Sequence, residues 1–123
     1  ILEHVCSFEK YSQFKVWSVN TEMGFPKYLN DMQFEIIVLH YSIFATNYYR
    51  LNNHFINYLE KSQSSYKIAF FQDEYHYCKK RFDFINYFNI DCIYTLLEPC
   101  FFNDVYKKYT KVREIYYVLP GYV

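Results

Sequence analysis

The chain has 123 residues, no formal net charge, 52% hydrophobic residues and only two glycines. This length suits one domain whose core needs no disulfide, and no apolar segment approaches the ~20 residues that cross a bilayer. Scattered Lys and Arg argue against a nucleic-acid partner, which requires a basic stripe, and so few glycines exclude a glycine-rich phosphate loop.

Helical spacing of apolar residues predicts four helices, over residues 1–12, 42–62, 77–88 and 99–109. Phe14–Val19 alternates as a short strand does. Ser42 is suited to cap the second helix. Asn89 is a plausible stop for the third, and Pro99 suits the first position of the fourth.

Four short apolar runs stop abruptly at polar or turn-forming residues: Phe34–Ser42, Tyr66–Glu74, Ile90–Glu98 and Val112–Gly121. Continuous apolar runs that alternate with helices are typical of strands buried on both faces of a parallel sheet. The connections between them are long enough for crossovers. The sequence therefore predicts an α/β, Rossmann-like, doubly wound parallel sheet of about five strands, as a single domain over residues 1–123.

Polar residues follow the second run, at the end of a parallel strand where ligands bind. Gln72, Asp73 and Glu74 are suited to bind hydroxyls, and either acid is a candidate catalytic base. The competing interpretation is that the two acids only complement the N-terminus of the next helix.

The first and third runs also end in polar groups. His40 is a candidate base or a donor to a ligand oxygen, or else a half-buried structural histidine. Ser42 lies beside it but has no Gly-x-Ser-x-Gly context, so a nucleophile elbow is not supported. Glu98 either adds a carboxylate to the same crevice or simply precedes a helix. We predict that His40, Ser42, Gln72 and Glu98 bind an acceptor.

The remaining histidines and the four cysteines do not have metal-ligand spacing. We therefore predict no metal and no cofactor, and reduced cysteines in a cytoplasmic protein. His4 and the other two histidines are interpreted as surface or helix-face residues. Tyr and Phe, at 16 and 13 copies, indicate either a stacking platform for sugars or bases or a general compositional drift.

Four phrases resemble one bacterial family: EHVCSF at 3–8 with Tyr11 and Ser12, IVLHYS at 37–42, AFFQDEY at 69–75 and LPGY at 119–122. They look like the N-terminal, acceptor-side domain of family 1 or family 4-like glycosyltransferases with the two-domain GT-B architecture. The resemblance implies a glycan or other sugar acceptor here and a nucleotide-sugar donor bound by a missing C-terminal domain. It also implies that the opening strand is missing, so this part alone would be inactive.

Two alternatives remain open. A receiver-like or flavodoxin-like binding module fits the size, although no Lys follows the last strand and no Ser/Thr/Gly phosphate loop is present. A structural half-domain that self-associates through an exposed sheet edge is the other alternative.

Overall fold

The computed structural model describes residues 2–45, 48–72 and 78–118. Its α-helices are α1 (Leu2–Tyr11), α2 (Asn53–Lys61) and α3 (Cys78–Tyr87). Its strands are β1 (Ile36–Leu39), β2 (Tyr66–Phe71), β3 (Cys92–Thr95) and β4 (Glu114–Tyr117). Shorter helical segments lie at Thr21–Met23, Lys27–Asp31, Tyr41–Phe44, Pro99–Phe101 and Asn103–Lys107, the last of them π-helical.

The strands form one parallel sheet in the order β1-β2-β3-β4. The α/β class and the parallel pairing are confirmed, and the arrangement is compatible with a Rossmann-like fold. The number of strands is four within the described residues, not five. Among these four, the order contains no reversal of the kind that defines a doubly wound sheet.

One face of the sheet, the helix-covered face, carries Leu39, Ala69, Phe71 and Ile93. These side chains belong to a single hydrophobic cluster with residues of α2, α3 and the π-helical segment, namely Leu59, Phe84, Ile85 and Tyr106. Ala69 and Ile93 are completely inaccessible to solvent. The domain core therefore lies between this face and the segments that connect the strands.

The opposite face, the aromatic face, carries Phe70, Tyr94 and Tyr116 at matching positions of β2, β3 and β4. Helix α1 packs against it at one side, where the rings of His4 and Phe8 meet that of Phe70 at centroid distances of 5.2 and 5.7 Å. Tyr116 remains 46% exposed. The expectation that the strands are buried on both faces is therefore wrong for β4.

Two element predictions were wrong. No strand forms over Phe14–Val19, which is extended but pairs with no neighbour. The helix expected from Ser42 begins instead at Asn53, because the Asn52 side chain accepts hydrogen bonds from the N–H groups of His54 and Phe55 and caps it there.

Other local signals were confirmed. Asn89 has φ +53° and ends the turn after α3, and Pro99 occupies the first turn of its short helix. Within the described ranges, no helix combines the length and apolar character needed to cross a membrane.

We expect Ile93→Ala to lower the free energy of unfolding by about 2–5 kcal/mol, because it leaves a cavity where the side chain is fully buried. Val38→Ala is the matched control, since Val38 is 38% exposed on β1 and should lose less than about 1 kcal/mol. Urea denaturation measures both. Equal losses in the two variants would contradict the placement of the core.

Candidate functional site

His40 directly follows β1 and is held by a local hydrogen-bond pattern. Its Nδ1 accepts from the backbone N–H of Ser42 at 3.2 Å and lies 2.9 Å from the Ser42 hydroxyl oxygen. Because Nδ1 is an acceptor, the neutral ring carries its proton on Nε2. Ser42 therefore fixes the tautomer and the orientation of His40, and the two predicted residues do lie together.

The structure adds His4 of α1, whose ring packs on that of His40 with 4.8 Å between centroids. Both Nε2 of His40 and Nδ1 of His4 are buried, and neither has a hydrogen-bond partner. Buried polar atoms in folded proteins nearly always have a partner, so two such atoms on adjacent rings indicate a place where a ligand group would fit. The sequence did not reveal this, since His4 was interpreted as a surface or helix-face residue.

Both rings are neutral near pH 7. Burial, and next the charge of a protonated His4, lower the pKa of His40 to about 4. Burial also lowers the pKa of His4. With its Nδ1 lone pair already engaged, His40 is equipped to donate through Nε2–H rather than to act as a base. His4 Nδ1 is the nitrogen of this pair still open to accept a proton.

A row of aromatic rings continues from the histidines across the aromatic face. Phe70 and Tyr94 stack with centroids 4.8 Å apart and an interplanar angle of 11°. Tyr94 and Tyr116 follow at 5.3 Å and 26°. His4 joins the two parts, since it touches both His40 and Phe70. The row presents a flat apolar surface with polar ring atoms at one end, which suits stacking of a ring-shaped ligand.

Gln72 and Glu98 have less direct support. Gln72 is half-buried just after β2, and Glu98 is exposed three residues after β3. The Glu98 carboxylate makes only a weak contact with the Cys100 thiol, at 4.0 Å. Since β2 lies between β1 and β3, the ends that carry His40 and Glu98 are roughly 10 Å apart. Within the described residues, no hydrogen bond joins Gln72 or Glu98 to the His40–Ser42 pair.

Asp73 and Glu74, the two candidate catalytic acids, lie outside the described residues. Across the ranges that are described, no group of three or more His, Cys, Asp or Glu is arranged to hold a metal ion. A surface cavity of about 420 Å³ lies elsewhere, between the Thr21–Gly24 turn and residues 49–52. It does not coincide with the His40 cluster.

The chain matches no protein-family model, no curated protein and no solved structure.

The neutral state of His40 has a consequence for stability that can be measured. Its pKa in the folded chain is about 4, below the ordinary value of 6.5. The neutral ring therefore contributes stability that is fully present above pH 6.5 and is lost as the pH falls toward 4. We expect the wild type to lose about 1–2 kcal/mol through this group, allowing for solvent screening of a partly exposed ring.

Urea denaturation at pH 7 and at pH 4.5 tests this contribution. The His40→Asn variant should lose less stability between the two pH values than the wild type. The control is His54→Asn, which alters an exposed histidine of α2. If both variants reduced the loss equally, the effect would not come from the buried ring.

Proposed function

We propose that this chain is the acceptor-side domain of a two-domain sugar transferase. In this proposal the carboxyl edge and aromatic face of the sheet hold a glycan or another sugar acceptor. A nucleotide-sugar donor would be held by a second domain. The support for sugar-transfer chemistry is the resemblance of four sequence phrases to GT-B glycosyltransferases, together with the doubly wound Rossmann-like arrangement which that family implies.

The observation that carries the proposal is the pairing of His4 and His40 beside the aromatic row. A sugar combines hydroxyl groups, which need donors and acceptors, with an apolar ring face that stacks on aromatic side chains. Buried imidazole nitrogens without partners lie next to stacked rings of Phe70 and Tyr94. One ligand with both kinds of surface would therefore satisfy both kinds of site.

In this scheme each imidazole has a distinct role. His40 Nε2–H donates to an oxygen of the acceptor, and His4 Nδ1 accepts the proton of an acceptor hydroxyl. Ser42 is a positioning residue that keeps the His40 proton on Nε2. Asp73 or Glu74 remains the proposed catalytic base, and Gln72 and Glu98 remain proposed acceptor contacts.

Saturation-transfer NMR with a panel of mono- and oligosaccharides, using the 123-residue chain, tests the proposal. We expect His40→Ala to weaken binding of a sugar found in this way about 3–10-fold, because one hydrogen bond to the ligand is lost. Tyr94→Ala should weaken it by a similar factor through loss of stacking.

Two controls separate this effect from a change in folding. His54→Ala removes an exposed histidine of α2 and should bind like the wild type. Ile68 lies between the aromatic row and the amino end of β2, so Ile68→Val tests whether a small change in the same face matters by itself. The proposal fails if the wild type binds no sugar of the panel, or if the His40 and Tyr94 variants bind as well as the wild type.

A further inference from the structure

The second unexplained polar group lies on the helix-covered face of the sheet. Arg81, in the first turn of α3, is only 4% exposed. Its guanidinium packs over the ring of Phe71, with Cζ 5.5 Å from the ring centroid. Its Nη2 makes a long hydrogen bond of 3.4 Å to the carbonyl of Phe44, whereas Nε and Nη1 are buried without any partner.

A buried charge of this kind needs a counter-charge, because removing an ion from water costs several kcal/mol. The ion pairs among the described residues are Arg50–Glu22 and Lys79–Asp83, and neither includes Arg81. The other buried cation, Lys67, differs from Arg81. It lies close enough to Asp91 for that carboxylate to favour its charged form, although burial lowers its pKa.

Tyr49 places a second donor beside Arg81. Its hydroxyl is buried and also has no hydrogen-bond partner. Burial raises the pKa of Tyr49 to about 12 while the neighbouring Arg81 charge acts in the opposite direction, so the hydroxyl stays protonated and the two groups are close. Two adjacent donors without an acceptor are both satisfied by one anionic oxygen group placed between them.

The sequence around Arg81 adds to the positive potential. Lys79, Lys80 and Arg81 are consecutive in the first turn of α3, which carries no acidic residue. The N-terminal end of a helix is itself the positive end of the macrodipole, so cations there are unfavourable unless an anion is present. Lys80 Nζ also lies over the Tyr49 ring, 4.5 Å from its centroid.

Tyr49 connects this pair to solvent. It forms part of the wall of the 420 Å³ cavity, together with Arg50 and Asn52. Arg50 is 44% exposed and pairs with Glu22 at 2.9 Å across the cavity. A ligand group that entered the cavity would therefore meet the Tyr49 side chain first and Arg81 behind it.

We propose that Arg81 and Tyr49 form a binding site for a phosphate group carried by a ligand. Phosphate suits the site better than a carboxylate because several donors converge there and phosphate offers more oxygens to accept from them. This inference is independent of the sugar-acceptor proposal, since it concerns the other face of the sheet and different side chains.

Thermal unfolding and isothermal titration calorimetry of the 123-residue chain test the site. The probes are inorganic phosphate, a hexose phosphate, acetate and chloride at equal ionic strength. At about 100 times its Kd, inorganic phosphate or the hexose phosphate should raise the Tm by about 5–10 °C relative to chloride. Tighter binding of the ester would identify an esterified phosphate as the ligand, and equal binding would identify the free ion. Phosphates that act no differently from chloride or acetate would overturn the proposal.

Arg81→Met separates a ligand from an internal counter-charge. If a ligand supplies the anion, the variant loses the response to phosphate but has at least the wild-type Tm in phosphate-free buffer, because an unpaired buried charge has been replaced by an apolar side chain. If a carboxylate of the chain already pairs with Arg81, the variant should instead unfold at a much lower temperature and the wild type should not respond to phosphate. That result would overturn the proposal.

A milder pair of variants serves if Arg81→Met does not fold. Tyr49→Phe removes only a hydroxyl and should weaken phosphate binding about tenfold. Tyr58→Phe is its matched control, because the Tyr58 hydroxyl donates to the Met32 carbonyl at 2.9 Å, away from Arg81. Equal phosphate affinity in both variants and the wild type would remove Tyr49 from the site and overturn the pairing we propose.

Discussion

The register of the parallel sheet depends on the hydrogen bonds of one residue, Asp91. Its carboxylate accepts from the backbone N–H of Lys67, and its own N–H donates to the Lys67 carbonyl, both at 2.9 Å. Its carbonyl accepts from the N–H groups of Arg113 and Glu114 at 3.2 and 3.1 Å. Asp91 thus joins β2, β3 and β4 at their amino ends. A slip of one residue would exchange the two faces of a strand, so these contacts determine which side chains meet.

The two proposed sites follow from this register because neighbouring residues of a strand point to opposite faces. Phe70 joins the aromatic row beside His4, whereas Phe71 packs under the guanidinium of Arg81. The core on the helix-covered face is closed around buried side chains, and the aromatic face is only partly covered by α1. The helix-covered face therefore isolates a charge, and the aromatic face offers exposed rings such as Tyr116.

Local patterns predicted the parallel strands well, because continuous apolar runs and turn residues are visible in the sequence itself. They failed where the outcome depends on distant partners. The stretch around Trp17 alternates like a strand but finds no neighbour to pair with, and the Asn52 cap outweighed helical spacing upstream. His4 and Arg81 belong to a helix face and a basic run, so only tertiary packing shows that their nitrogens are buried. Ser42, in contrast, was placed beside His40 correctly by sequence proximity.

Long-range NOEs between aromatic rings test the central claim, the parallel register and the separation of the two faces, most directly. The account predicts ring contacts between Phe70 and Tyr94, and between His4 and His40, with Phe71 in contact with Phe44 instead. NOEs from Tyr94 to Phe71 in place of Phe70 would show that β3 is shifted by one residue. That result would disperse the histidine and aromatic cluster and contradict the account.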